Sequence, residues 1–376
     1  MKLLLPIYNL TVICFALCAN YVFASTVETP VLGVFSGEIP ANSEAYIGIT
    51  TTRAPVFEGV VESVNAGSSK IVAGGEPAWS ANQFVFADGV QPEHYYLKIT
   101  SGELEGAWFD ISSNDAFSVA IEIGAGEIQK IAKGDSFQII PHWTMATLFP
   151  NGGGFSKATK ISATAGATML YKYTSYGTDG LEYPIGVNSA SMQRFYYRER
   201  GDINNWCDAD KKDASNVLVE PNAVFVAVQP DNSCKYSYSG NIPMCATSFV
   251  LFTLDNGEGV QDQEMYIPLP SAVDFELNEL TSTLIDSGAF TPSTSVASSP
   301  VDIIYAYENK SSGLNLTPDN SFFYRKRGAT NKWLDKDKQD AQTYKLSAGT
   351  VLVFRKKATD EEFSIRCKFT PNYISK

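Results

Sequence analysis

The sequence predicts an all-β protein: an N-terminal β-barrel or sandwich domain followed by two duplicated β-modules. Three observations carry that reading. Short apolar runs, several alternating with period two, recur between clusters of Gly, Asn, Ser and Pro, and no stretch sustains a 3.6-residue period. Aromatic residues are abundant, 19 Tyr and 22 Phe in 376 residues, and such residues favour half-buried pleated surfaces. A segment in the middle of the chain also recurs near its end.

Residues 1–24 read as an address rather than as part of the fold. Met1-Lys2 is positive, and Leu3 to Phe23 is mostly apolar but broken by Pro6, Asn9, Thr11 and Asn20. Val22-Phe23-Ala24 places suitable residues before a cut, so a secretory signal peptide cleaved before Ser25 is expected; the alternative is a membrane anchor. A lipoprotein would need a small residue before Cys14 or Cys18, where Ile13 and Leu17 stand. Export implies a secreted, periplasmic or cell-surface protein. No later run approaches ~20 apolar residues, so no transmembrane span is expected after cleavage. The net charge is 29 − 41 = −12. Nucleic acid is excluded as a partner, because phosphate contacts need a basic patch.

Residues 25–149 form the expected N-terminal β domain. Val56 to Val64 and Lys70-Ile71-Val72, separated by Asn65-Ala66-Gly67-Ser68-Ser69, read as a hairpin. Further short strands follow at Tyr95–Ile99, Trp108–Ile111, Phe117–Ile121 and Ser136–Ile140. Asn151-Gly152-Gly153-Gly154 reads as a flexible hinge at the domain boundary.

The duplication lies beyond it. Phe195–Ala214 aligns without gaps to Phe322–Ala341, a shift of 322 − 195 = 127, and 12 of the 20 positions are identical. The match extends weakly outward: Leu170-Tyr171-Lys172-Tyr173 resembles Ile304-Tyr305-Ala306-Tyr307, and Val224-Phe225-Val226 resembles Val351-Leu352-Val353. The modules are therefore placed at 150–230 and 285–376. Residues 231–284 are a connecting region with a Cys hairpin, a strand near Ser248–Leu254 and a helix near Asp274–Leu284. Ser293–Pro300 is a polar linker. Two copies are too few for a solenoid.

Four stretches carry a family resemblance: Arg53-Ala54-Pro55-Val56-Phe57, Trp79-Ser80-Ala81-Asn82-Gln83-Phe84-Val85, Ile99 through Asp110, and Ile140 through Pro150. Ser287-Gly288-Ala289-Phe290 adds a fifth. The chain resembles an uncharacterised family of secreted β-rich proteins found mainly in Verrucomicrobia. That resemblance implies export. It implies no activity and transfers no catalytic residue.

Four cysteines follow residue 24: Cys207, Cys234, Cys245 and Cys367. In an exported chain an even number favours disulfides. Cys234 and Cys245 flank a short excursion and are the expected local pair, which leaves Cys207 with Cys367. A zinc site is the alternative, and it lacks both a Cys-x-x-Cys and a nearby His.

Catalytic signatures are sparse. The two histidines, His94 and His142, have no nucleophile elbow near them, and phosphate loops and His-x-x-x-His motifs are absent. The sharpest chemical pattern is a repeated acidic loop: Asp208-x-Asp210-x-x-Asp213 returns as Asp335-x-Asp337-x-x-Asp340. Converging carboxylates suit Ca²⁺, yet the Gly and Glu of an EF-hand loop are missing, so a solvated turn is the competing reading. Trp206 and Trp333 recur at equivalent positions and are candidates either for ligand stacking or for core packing. Arg198 and Arg325 would lie along apolar surface with their heads toward the acidic loops.

Two functions follow. The favoured one is a non-catalytic secreted or envelope-associated protein that binds polysaccharide or another cell-surface polymer, or assembles with itself. The alternative is a secreted polysaccharide-degrading enzyme acting through two carboxylates.

Overall fold

The computed structural model describes residues 30–124, 126–160, 166–173, 193–255, 257, 259–294 and 300–374; the expected signal peptide and most of the expected Ser293–Pro300 linker lie outside them. The protein is mainly β, as the sequence predicts. It opens with β1 (Leu32–Ile39) and β2 (Ser43–Gly48). Six antiparallel strands then close a barrel: β3 (Phe57–Asn65), β4 (Lys70–Ala73), β5 (Tyr95–Ile99), β6 (Trp108–Asn114), β7 (Ser118–Ile121) and β8 (Ser136–Pro141). Their order around the barrel is β3-β4-β7-β6-β5-β8. The expected hairpin is β3–β4, with a bulge between Val61 and Ser63. Side chains alternate across a strand. Leu97 and Ile99 therefore fill the barrel with Phe109, Phe137 and Ile139, while Tyr96 joins Trp108 and Ile140 in a separate outer cluster.

The chain continues as β9 (Trp143–Thr144), a one-turn helix at Met145–Leu148, β10 (Met169–Tyr173), β11 (Gln193–Arg200), β12 (Ile203–Cys207), β13 (Leu218–Val219), β14 (Val224–Gln229) and β15 (Cys234–Asn241). The rest comprises β16 (Thr247–Thr253), β17 (Gln263–Pro268), β18 (Phe275–Glu276), β19 (Ile303–Tyr307), β20 (Asn320–Arg327), β21 (Thr330–Asp335), β22 (Lys345–Leu346), β23 (Val351–Lys356) and β24 (Phe363–Phe369).

Pairing shows that the duplication is larger than the sequence repeat. One five-stranded sheet runs β2-β14-β10-β11-β12, and the other runs β17-β23-β19-β20-β21. Each is accompanied by a long two-stranded ribbon, β1–β15 or β16–β24, and a short one, β9–β13 or β18–β22. Every strand of the first set thus has a counterpart in the second. Registers agree as well: Tyr197 faces Trp206 as Tyr324 faces Trp333, and Leu170 faces Phe195 as Ile304 faces Phe322. Small details repeat too. Thr144 and Thr147 form a capping box at the head of the short helix, and Glu276 and Glu279 form one at the matching place.

The first unit is therefore β1–β2 plus β9–β15, and the barrel is an insertion between β2 and β9. Residues 231–284, expected as a connector, instead supply β15 to the first unit and β16, β17 and β18 to the second. The expected Cys hairpin is a straight strand paired with β1. The helix expected near Asp274–Leu284 is reduced to short helical turns at Leu277–Leu280 and Ser282–Asp286. The glycine-rich hinge is a packed turn: a Cβ on Gly152 would meet the Tyr197 ring at 2.8 Å, and one on Gly154 would collide with the Lys235 carbonyl oxygen.

The two units meet through tyrosines. Tyr46 stacks on Tyr307 with ring centroids 3.9 Å apart, and Tyr173 stacks on Tyr266 at 4.2 Å. Sheet registers make Tyr46 equivalent to Tyr266, and Tyr173 equivalent to Tyr307. The two stacks thus exchange under the repeat, which is the form of an isologous dimer interface inside one chain. Val224, Val226 and Val351 fill the space between them. The contact is tied further by the backbone of Tyr46, which exchanges two hydrogen bonds with the Asn309 amide, at 2.8 and 2.9 Å.

The barrel also leans on the second unit. Arg366 of β24 forms two 2.9 Å bonds with Glu127, and the Ala246 amide donates to Glu105 at 3.0 Å. Gly106 permits this approach. Its φ is +86°, and a Cβ there would lie 2.5 Å from the Ala246 carbonyl oxygen. Gly106→Ala is expected to cost roughly 1–3 kcal/mol of stability through left-handed strain and the clash. Urea denaturation measures it, and an unchanged midpoint would show that this contact yields freely.

Candidate functional site

The acidic loops are turns. Asp208 Oδ1 accepts the amides of Asp210 and Lys212, both at 2.9 Å, and Asp335 Oδ1 accepts those of Asp337 and Gln339 at 2.9 and 2.8 Å. Asp213 and Asp340 each hold the amide two residues ahead, those of Ser215 and Gln342. Lys211 and Lys338 occupy the left-handed positions, with φ of 68° and 62°. The first and last Asp of each loop are thus spent on backbone amides. Among the described residues no group of three or more His, Cys, Asp or Glu is gathered to hold a metal ion. The Ca²⁺ reading of Asp208, Asp210, Asp213, Asp335, Asp337 and Asp340 gives way to the turn reading. Lys332, not Arg325, pairs with Asp340 at 2.8 Å and holds its carboxyl below the usual carboxylate range.

Trp206 and Trp333 are core residues, so the stacking reading is corrected. They are 1% and 0% exposed. Trp206 Nε1 donates to the Phe149 carbonyl at 3.1 Å, and Trp333 Nε1 donates to Thr281 Oγ1 at 3.0 Å. A buried indole needs such a partner; the duplication kept the ring, while the acceptor is a backbone carbonyl in one copy and a threonine hydroxyl in the other.

The disulfide expectation is also corrected: Cys207, Cys234, Cys245 and Cys367 are all free thiols and all buried. Geometry explains the first pair. Cys234 to Asn241 is extended, a run of about 23 Å at ~3.3 Å per residue. The four residues that follow cannot return Cys245 to the ~4.4–6.8 Å Cα separation a bridge requires. Cys207 and Cys367 sit in separate clusters of separate units. Burial pushes the Cys367 thiol up to about 12, so it is no nucleophile at neutral pH.

Neither histidine faces a nucleophile. His142 is buried, with Nε2 2.6 Å from Asp110 Oδ1 and its ring against Tyr96 and Trp108. His94 stacks on Phe86 at 4.2 Å.

The site that does stand out was not marked by any local motif. A groove of about 280 Å³ runs where β1 of the first unit meets the second. Its first wall carries Phe35, Glu38, Tyr236 and Tyr238; its second carries Glu308 and the turn Ser347–Thr350. Phe35 stacks on Tyr238 at 5.2 Å, and the Tyr236 ring covers Gly37, whose missing side chain makes room for it. The Glu308 side chain is 1% exposed. Its Oε2 accepts from Lys310 Nζ at 2.8 Å and from the Tyr344 hydroxyl at 2.6 Å. Among the described residues its Oε1 is buried with no partner, and so is Thr350 Oγ1. Burial and then the bond to Glu308 raise Tyr344, while the same carboxylate raises Lys310.

Unpaired buried oxygens are costly. Two of them lie beside one groove, the Glu308 carboxylate oxygen as an acceptor and the Thr350 hydroxyl as donor or acceptor. The groove continues along β1 into a more open hollow of about 600 Å³, since Phe35, Ser36 and Ala348 line both. Leu32, Val34, Met244 and Val273 edge that end and are exposed. The sequence carried one hint: Glu308-Asn309-Lys310 follows a duplicated strand, where the copies diverge. No protein-family model, curated protein or solved structure matches the chain.

Proposed function

We propose that the protein is an exported, non-catalytic binding protein that holds a neutral polysaccharide chain in the groove between its two units. It would act in secreted, periplasmic or cell-surface form, as the leader-like residues 1–24 and the resemblance to a secreted β-rich family both suggest. The observation that carries the reading is a pair of buried oxygens beside one groove, Glu308 Oε1 and Thr350 Oγ1, that have no partner among the described residues. Sugar hydroxyls are donors of the right kind, and the aromatic wall of Phe35 and Tyr236 suits the apolar faces of sugar rings. Glu38 and a net charge of −12 disfavour anionic polymers.

Affinity electrophoresis against a panel of soluble neutral polysaccharides tests this. At least one should retard the protein, with or without chelator, and Glu308→Gln should weaken that retardation about tenfold, the scale of one bond to a charged group. No retardation by any polymer, or a Glu308→Gln protein that binds unchanged, would overturn it. Glu38 and Glu308 lining one groove favour a second reading, carboxylate-based hydrolysis. Release of reducing ends from a bound polymer, abolished by Glu308→Gln, would decide for that enzyme instead.

A further inference from the structure

The outer edge of β1 is bare. In an antiparallel pair, successive residues turn their backbone groups alternately to the two edges of the strand. Asn241 exchanges bonds of 2.8 and 2.9 Å with Thr52, and the Ser237 amide donates to the Gly153 carbonyl at 3.0 Å, so both face away from β1. Their register partners Leu32 and Ser36, with Val34 between them, therefore face away from β15. β1 pairs with β15 alone, and among the described residues these three outward residues make no backbone hydrogen bond. The equivalent edge in the second unit is covered. There the Ala246 amide donates to Glu105 at 3.0 Å, Asn222 Nδ2 donates to the Ser248 carbonyl at 3.3 Å, and the Phe252 amide meets the Met265 sulfur at 3.3 Å.

Free sheet edges are normally blunted by Pro, Lys or a bulge. β1 has none of these over eight unbroken register pairs, and Glu38 is its only charge. Of the twelve large apolar side chains exposed among the described residues, five line the hollow beside it: Val31, Leu32, Val34, Met244 and Val273. No charged residue lines that hollow. An apolar patch of this kind marks an interaction surface. It suits an uncharged, apolar, extended strand with a free edge, and β1 of a second copy is such a strand. A net charge of −12 drives copies apart, so they can meet only where charge is absent. We propose that two copies pair antiparallel through their β1 edges, with Val34 on the two-fold axis. That register sets Leu32 opposite the partner's Ser36 and leaves both Glu38 carboxylates beyond the overlap. It joins the two ribbons into one four-stranded sheet, and it does not depend on the polysaccharide reading of the groove.

The test is sedimentation velocity of the intact protein over a concentration series. The mass should double as concentration rises, and added sodium chloride should tighten the dimer by screening the repulsion between copies. Val34→Lys, which sets two like charges face to face on the axis, should raise the dissociation constant about tenfold or more. Val34 is 75% exposed, so the fold should tolerate the change. Val60→Lys, on the exposed outside of the barrel, should leave the dimer as it is. Amide exchange of the unaltered protein supplies a reading free of any variant: Leu32, Val34 and Ser36 should be protected at high concentration and not at low. A monomer at every soluble concentration, a dimer that salt weakens, a dimer that Val34→Lys leaves intact, or a dimer without that protection would overturn the proposal.

Discussion

Replacing either repeated tryptophan with alanine should cost ~3–5 kcal/mol, the range for a large buried aromatic. Trp206 packs on Phe149, Phe155 and Tyr197, and Trp333 packs on Phe290 and Tyr324. Truncation also removes the donor to Thr281 Oγ1 in the second unit, whereas the Phe149 carbonyl keeps its bond from the Gly152 amide. Denaturant midpoints would shift strongly in both variants. A small shift with lost polymer binding would restore the stacking role that burial denies them. The two effects should be of the same order, because Phe155 and Tyr197 beside Trp206 are matched by Phe290 and Tyr324 beside Trp333.

Asp302→Ala should be comparably damaging. Asp302 and Lys356 form an ion pair in which both side chains are essentially out of water, 0% and 1% exposed. The carboxylate also accepts the amides of Thr291 and Lys357. Removing it leaves a buried ammonium unpaired, a loss of about 3–5 kcal/mol. The duplication supplies its own control. Sheet registers place Gln229 of the first unit where Lys356 stands in the second, and Thr168 where Asp302 stands. There the amide of Gln229 and the hydroxyl of Thr168 form a neutral, hydrogen-bonded version of the contact. The paired exchange Asp302→Thr with Lys356→Gln should therefore cost clearly less than Asp302→Ala alone. A double variant as unstable as the single one would show that the second unit depends on the charge itself.

These comparisons also mark how far the sequence could be read. Period-two alternation and turn chemistry made the β class legible, and the identities between Phe195–Ala214 and Phe322–Ala341 exposed the repeat. Its true extent was hidden for a physical reason. The strand pair β1–β2 belongs to the first unit through pairing with β15 and β14, yet an entire barrel separates them along the chain. Between β2 and β17 the likeness has shrunk to Glu44 and Glu264, Tyr46 and Tyr266, and Ile47 and Ile267. The pattern at Asp208 and Asp335 allowed either metal ligands or turn formers, because an Asp followed by amides in a tight turn reads the same either way. The groove was invisible because its walls come from residues about 270 positions apart in sequence, as the Gly313 amide bonding Ser43 Oγ across the same seam illustrates. What a sequence could offer was the divergence at Glu308, where one copy has a feature its partner need not share.

Amide hydrogen exchange with and without a retained polysaccharide locates the bound polymer on the protein. Groove binding should give new protection along Val34–Glu38, at Glu308–Lys310 and at Ser347–Thr350, with none at the acidic turns. Protection confined to residues 208–213 and 335–340, with the groove unchanged, would contradict it.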